Sequence, residues 1–320
     1  MADILALNLL SPITLSFALG VLARLVRSEF SLPRDIYAGL GIYLLFALGL
    51  KGGVELAKVP LGGIVLPLVA TLLLGCLRPV TSYGALRKWF GFGRADSAGI
   101  AAHYGSVSAV TFIAALTFLD AMEEPVEGYL PTLLALLESP GIHIALGIGL
   151  LRRGDSDRSA LSAVHEVVTG RTMILLVGGL VVGYVMAPGT WEEISLFYEG
   201  PIFKGALCLF LLEMGVVAGD RLGDLRRSGF ALLVFGVGIA IVHGVLGVAV
   251  GLTAGLSPGG ATVLGAMSAS ASYIAAPPAV RMTIPEANPT LSLTAALAIT
   301  FPFNVVIGIP LYYQVALWLA

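Results

Sequence analysis

Two stretches of this sequence place hydroxyls and helix breakers where an apolar run would otherwise be continuous. The first is His103-Tyr104-Gly105-Ser106-Val107-Ser108; the second is Ser268-Ala269-Ser270-Ala271-Ser272-Tyr273, followed by Ala275-Ala276-Pro277-Pro278. A chain break in hydrocarbon leaves backbone N–H and C=O groups unpaired, which is tolerated only where protein or a water-filled cavity covers them. Pro277 and Pro278 suit the first turn of a new half-helix, where a fixed φ and a missing N–H cost little. Two half-helix N-termini converging from opposite sides would present positive dipole ends and free N–H groups, a site for a small anion that needs no arginine. Gly105, Ser106, Ser108, Ser270, Ser272 and Tyr273 are therefore the candidate anion-binding residues. Small residues at these spacings also let helices approach closely, so packing is the competing reading.

Ionisable groups inside apolar runs are costly and are functional candidates by default. Glu138, followed by Pro140 and His143, and Glu213 fall in such runs. Each carboxylate could coordinate sodium or carry a proton, or sit protonated as a hydrogen-bonded structural group. Asn304, two residues after Pro302, could offer its amide to a cation or tie off a kinked helix. With Glu138 and Glu213 it completes the candidate cation-coupling set, a sodium ion near Glu138 being the one metal this pattern suggests. His103 and His243 read as satisfied core histidines, Lys51 and Lys204 as side chains reaching an interface. Cys76 and Cys208 lie in apolar runs as small buried hydrophobes. There is no G-x-S-x-G elbow, no H-E-x-x-H helix and no phosphate loop. His103 and Ser106 could mimic a dyad at i, i+3, but no orienting acid is evident, so the chain reads as a non-enzyme that needs no cofactor.

The elements that must hold these residues are written for lipid. Of 320 residues, 57% are hydrophobic and 12% charged, with 40 glycines and a mean hydropathy of +0.94; a soluble domain carries about 25% charge. A net charge of −2 offers no footprint for nucleic acid. Apolar runs predict ten spans, at 9–26, 35–50, 60–77, 97–119, 130–151, 171–187, 200–218, 229–254, 259–280 and 290–318. Alternating the connections puts Arg24, Arg27, Arg34, Arg78, Arg87, Lys88, Arg94, Arg152, Arg153, Arg158, Arg171, Arg221, Arg226, Arg227 and Arg281 on one side, and only Lys51, Lys58 and Lys204 on the other. The positive-inside rule then makes the basic loops cytoplasmic and both termini external, in a multi-pass protein of the inner (plasma) membrane. Asp120, Glu123, Glu124 and Glu127 form one acidic external loop, and Glu192, Glu193 and Glu199 another. The first ten residues lack a basic n-region and a cleavage site, so the start reads as mature protein. The longest cytoplasmic connections, 79–96 and 152–170, leave no room for a second soluble domain.

Sliding the chain on itself by 162–164 residues aligns Ser106 with Ser268, Ser108 with Ser270, Ala109 with Ala271, Pro140 with Pro302 and Leu45-Phe46 with Leu209-Phe210. An odd number of spans per repeat forces the second copy to enter from the other side. The expected fold is an all-α polytopic membrane protein: a first five-helix repeat over 1–151, a short cytoplasmic linker over 152–170 and a second, inverted repeat over 171–320, with helices 4 and 9 broken. That architecture belongs to transporters more than to receptors or enzymes.

The stretch SASASYIAAPPAVRMTIPEANP resembles the signature of the sodium-dependent bicarbonate transporter family known as SbtA, with its S-x-S, P-P, R, I-P and A-N-P elements in combination. The resemblance extends to Gly49-Leu50-Lys51-Gly52-Gly53, Gly105-Ser106-Val107-Ser108, Ala114-Ala115-Leu116, Met214-Gly215, Arg221-Leu222-Gly223-Asp224-Leu225-Arg226 and Val242-His243-Gly244. It implies a ten-helix inverted-repeat carrier assembled as a homotrimer, its substrate held between a core and a gate domain, with Na+ as coupling ion. The chain is a divergent member by this reading. Ser270-Ala271-Ser272-Tyr273 stands where the family carries Ser-Ser-Ser-Asp, Glu138 where an Asp-x-Pro is expected, Glu213 where an apolar residue is expected, and Val217 where the pattern has Glu. The central loop is shorter than in cyanobacterial members, which argues against dependence on their PII-like regulatory partner.

The expected function is import of a small inorganic anion, bicarbonate first, by sodium-coupled secondary active transport. Tyr273 motivates an alternative with the same fold, another small anion or monocarboxylate, and proton coupling. A non-transporting membrane sensor or scaffold is the third reading, and predicts serine clusters packed dry against their neighbours.

Overall fold

The computed structural model describes residues 2–150, 165, 169–187 and 189–320. Arg152, Arg153, Arg158 and most of the 152–170 linker lie outside the described residues. The described residues are all-helical, 82% of them in helices, with no strand among them. Among the described residues, seven helices are long and apolar enough to cross a membrane. Where the other three spans are expected stand two shorter apolar helices and a broken pair, none of which has an uninterrupted run long enough to count.

In chain order, the short α1 (Ala2–Leu9) is followed by α2 (Pro12–Leu25), which starts at Ser11 because that hydroxyl accepts from Thr14 N at 3.2 Å and Pro12 fits the first turn. Next come α3 (Arg34–Ala57) and α4 (Leu61–Lys88). The fourth predicted span is two half-helices, α5 (Arg94–Gly105) and α6 (Ala109–Ala121), and the fifth is α7 (Leu130–Leu137) and α8 (Pro140–Leu150), parted at Glu138-Ser139. The second half runs through α9 (Arg171–Val185), the surface helix α10 (Thr190–Tyr198), α11 (Gly200–Ser228) and α12 (Phe230–Thr253). The half-helices α13 (Pro258–Ala269) and α14 (Ala276–Thr283) follow, then α15 (Pro289–Leu319). Two π-helical stretches, Thr294–Thr300 and Asn304–Gly308, flank Pro302 in α15. A proline ring clashes with the carbonyl one turn back, and widened turns are a common way for a helix to absorb it.

One charge assignment is corrected. Arg78 does not belong to a cytoplasmic loop: α4 continues through Pro79 to Lys88, so the expected 79–96 connection shrinks to residues 89–93. Arg78 is completely buried in the protein.

The helices sort into two groups. The first consists of α2, α3, α9 and α11, joined as two close pairs, α3 on α9 and α2 on α11. Glycine makes both crossings possible: a methyl added to Gly179 would lie 3.0 Å from the Cα of Gly49, and one added to Gly20 would lie 3.0 Å from the Cα of Gly215. Because the obstacles are backbone atoms, the helices themselves would have to move. Gly179→Ala is expected to destabilise the protein by about 1–3 kcal/mol, the cost of overpacking a tight contact, which thermal unfolding in detergent would register; an unchanged midpoint would mean the crossing is loose.

In the second group α4, α5, α8, α12, α13 and α15 enclose the breaks. Every residue from Ser97 to Ser108 and from Gly259 to Ser272 is buried. Their alanine, glycine and serine side chains let α5 and α13 sit at the centre, where protein covers the open backbone.

Candidate functional site

The two breaks meet. Ser108 N donates to Ser270 Oγ at 2.9 Å, and Ser272 N donates to the His103 carbonyl at 2.8 Å, so each break supplies a partner for a backbone group the other leaves open. Ser270 Oγ also donates to Met267 O at 2.7 Å, which anchors it to the last turn of α13. Of the serines that follow, Ser108 caps α6, while Ser272 ties the turn that leads into α14, whose N-cap position is Ala275. Ser108 Oγ accepts from Thr111 N at 3.2 Å, and Ser272 Oγ from Ala275 N at 3.1 Å. The positive end of α6 is thereby fixed at the crossover, and that of α14 begins one turn beyond Ser272.

A narrow cleft with a cavity volume of about 30 Å3, partly open to the outside, lies against this crossover. Ser108, Ala109, Ser272, Tyr273 and Glu138 line it from the second group of helices; Gly41, Leu44 and Leu45 of α3, Thr172 of α9 and Phe210 of α11 line it from the first. The cleft thus lies between the two groups. Tyr273 OH lies 3.3 Å from Ser108 Oγ, bonded across the two breaks. Glu138 is the one acidic residue among those that line the cleft. It is 2% exposed, and no basic side chain is in ion-pair range of it among the described residues. The Ser106 hydroxyl reaches Glu138 twice, at 2.8 Å from its carbonyl and 3.4 Å from Oε2.

The structure sorts the remaining candidates. Ser106 and Ser270 stand behind the cleft wall and connect its parts. Gly105 lies against the backbone of Gly141 in α8, where a side chain on either residue would collide. Asn304 is fully buried: its Nδ2 donates to Ala269 O at 3.2 Å, at the end of α13, and its Oδ1 accepts from Tyr312 OH at 3.0 Å. Glu213 lies apart from the cleft lining and accepts from Leu32 N at 2.7 Å, holding the approach to α3. The His103 ring bonds Gly99 O at 2.8 Å, and His243 Nε2 bonds Thr81 Oγ1 at 2.8 Å. The charged groups expected outside do pair across elements, Lys51 with Glu199 at 2.9 Å and Lys204 with Asp120 at 2.6 Å. They border a larger vestibule that shares Ile113 with the cleft.

Sequence reasoning missed Arg78 and Thr172. Nη2 of Arg78 donates to Tyr104 O at 2.7 Å, to Ser106 O, and to Ser270 O at 3.3 Å, so one guanidinium grips both breaks. Its signal in the sequence is a lone arginine followed by proline at the end of an apolar run, which reads as a loop. Thr172, beside Arg171 at the start of α9, carries no signal beyond its hydroxyl.

A comparison with curated proteins finds no match. Residues 12–317, which include every helix just described except α1 and the last two residues of α15, match the Na+-dependent bicarbonate transporter superfamily. With both breaks, Glu138 and the cleft inside the matched region, this membrane protein belongs to the Na+-dependent bicarbonate transporter superfamily.

Proposed function

We propose that the chain is a secondary active symporter that imports a small inorganic anion, bicarbonate first, together with sodium. The observation that carries this reading is the crossover itself. Two half-helix N-termini, that of α6 capped by Ser108, and the Ser108, Ser272 and Tyr273 hydroxyls stand on one wall of the cleft beside a single buried carboxylate. The positive helix ends favour an anion. Glu138 supplies the negative charge a coupling cation needs, in a place where water does not compete for it. Bicarbonate, with both a hydroxyl to donate and oxygens to accept, suits a wall of hydroxyls and N–H groups.

The architecture supporting this reading is a ten-pass inverted repeat. Adding 164 to the bounds of α5 gives those of α13, and α11 and α12 fall close to where the same offset carries α3 and α4. The close pairs are reciprocal, α3 of one half with α9 of the other and α11 with α2. On this reading 1–151 and 171–320 are the two repeats, both termini face outward across the plasma membrane, and the assembly is a homotrimer that does without a PII-like regulator.

A second reading is favoured by Tyr273, a neutral hydroxyl bonded to Ser108 where the family resemblance implies an acid. It keeps the fold, changes the cargo to another small anion or monocarboxylate, and makes Glu138 the carrier of a proton.

Uptake of labelled bicarbonate into proteoliposomes separates the two. Flux that needs an inward sodium gradient and persists without a pH gradient supports the first. Flux of acetate or another monocarboxylate driven by a pH gradient alone supports the second. No flux of any tested anion from correctly inserted protein would leave the sensor or scaffold.

A further inference from the structure

Arg78 is a charged side chain with no exposed surface and, among the described residues, no carboxylate in ion-pair range. Its Nε and Nη1 make no hydrogen bond among the described residues. Burial of an unbalanced charge is expensive, so the groups that do meet it matter. They are backbone carbonyls of one kind: Ser106 and Ser270 are the C-terminal caps of α5 and α13, and Tyr104 lies in the last turn of α5. These are the negative ends of the two half-helices. Three carbonyls crowd one nitrogen that has only two hydrogens, so the arrangement resembles a cation in a carbonyl cage more than a set of separate hydrogen bonds. A neutral amide could bond some of the same oxygens but could not cancel their field.

We propose that Arg78 is the tethered cation of the crossover. Its guanidinium neutralises the C-terminal ends of α5 and α13 from behind, leaving the cleft to the positive ends of α6 and α14, and so sets affinity for the anion. It does not line the cleft and is a positioning residue. It acts through the carbonyls of Tyr104, Ser106 and Ser270, which it ties together behind the cleft wall, and makes no bond to Glu138. Because the charge is covalently held, it stays in place when external sodium is absent. The inference rests on the anion-carrier reading and assigns this residue to anion affinity, separate from sodium affinity.

The test uses the full chain purified in detergent, as wild type, R78K and R78Q. The thermal unfolding midpoint is followed against bicarbonate at fixed sodium, and against sodium at fixed bicarbonate, with nitrate and acetate as further anions. Loss of the charge in R78Q is expected to raise half-saturating bicarbonate by about tenfold or more, on the scale of a charge-assisted contact, with sodium half-saturation within about twofold of wild type. R78K keeps the charge on one nitrogen and is expected to fall between. Should R78Q fail to fold, R78K decides by the same comparison. A lower midpoint with unchanged half-saturating bicarbonate would reduce Arg78 to a structural bolt and overturn the inference alone. A wild type that responds to nitrate or acetate but not to bicarbonate overturns the cargo and leaves the comparison to be made with the responding anion. A wild type that responds to none overturns both readings.

Discussion

Glu138→Gln is expected to remove sodium-driven uptake while leaving a folded protein. The amide is the same size, and the shorter of the two Ser106 contacts goes to the backbone carbonyl of Glu138, which the substitution does not touch. The position at the end of α7, before Pro140, likewise depends on the backbone. What disappears is one negative charge on a wall that holds no other. Two unit charges about 4 Å apart interact by about 4 kcal/mol at an effective dielectric of about 20, and each 1.4 kcal/mol is tenfold in an equilibrium constant, so sodium affinity should fall by roughly two to three orders of magnitude. Uptake measured against external sodium reads this directly. A superimposable sodium curve in the variant would exclude Glu138 from coupling. A curve that instead shifts along the proton gradient would favour the proton-coupled alternative.

Ser270→Ala should act on the anion side. Ser270 Oγ is the acceptor for Ser108 N, and deleting it leaves a buried donor unpaired at the point where the two breaks touch. An orphaned buried donor costs about 1–3 kcal/mol, and here the group freed is the backbone of the residue that caps α6. Bicarbonate uptake should therefore show a KM raised by roughly tenfold to a hundredfold, with Ser270→Thr, which keeps a hydroxyl, near wild type. An unchanged KM in the alanine variant would mean that the breaks hold their geometry without this contact. Glu138 and Ser270 share no bond, so their effects on sodium and anion affinity should be separable.

The helix breaks were legible where local chemistry announces them. Ser106 to Ser108 and Ser270 to Pro278 interrupt apolar runs with residues that disfavour a continuous helix, and both fall at helix breaks. Glu138 stood out because a carboxylate two residues before a proline is rare in an apolar run. What the sequence could not show is which distant groups these residues meet. Glu213 looked like a second coupling acid, yet its partner is the backbone of Leu32, 181 residues away, and no spacing rule reaches that far. Arg78 misled the charge count for a physical reason. A proline after an arginine at the end of an apolar run is the expected mark of a helix end, whereas α4 carries on beyond it and turns the arginine inward. The π stretches of α15 were equally invisible, since Pro302 predicts a disturbance but not how the helix absorbs it.

The reciprocal pairing of α2 with α11 and α3 with α9 also bears on how the chain is made. α2 is complete at Leu25, but the helix it clasps begins only at Gly200. At roughly 5–20 residues per second of synthesis, α2 waits in the bilayer for about ten seconds or more, its glycine face open, before its partner is inserted. Neither half of the polypeptide contains a finished bundle, so assembly is a late event in which the second half closes around the first, and a ribosome that stalls midway leaves helices with no one to pair with.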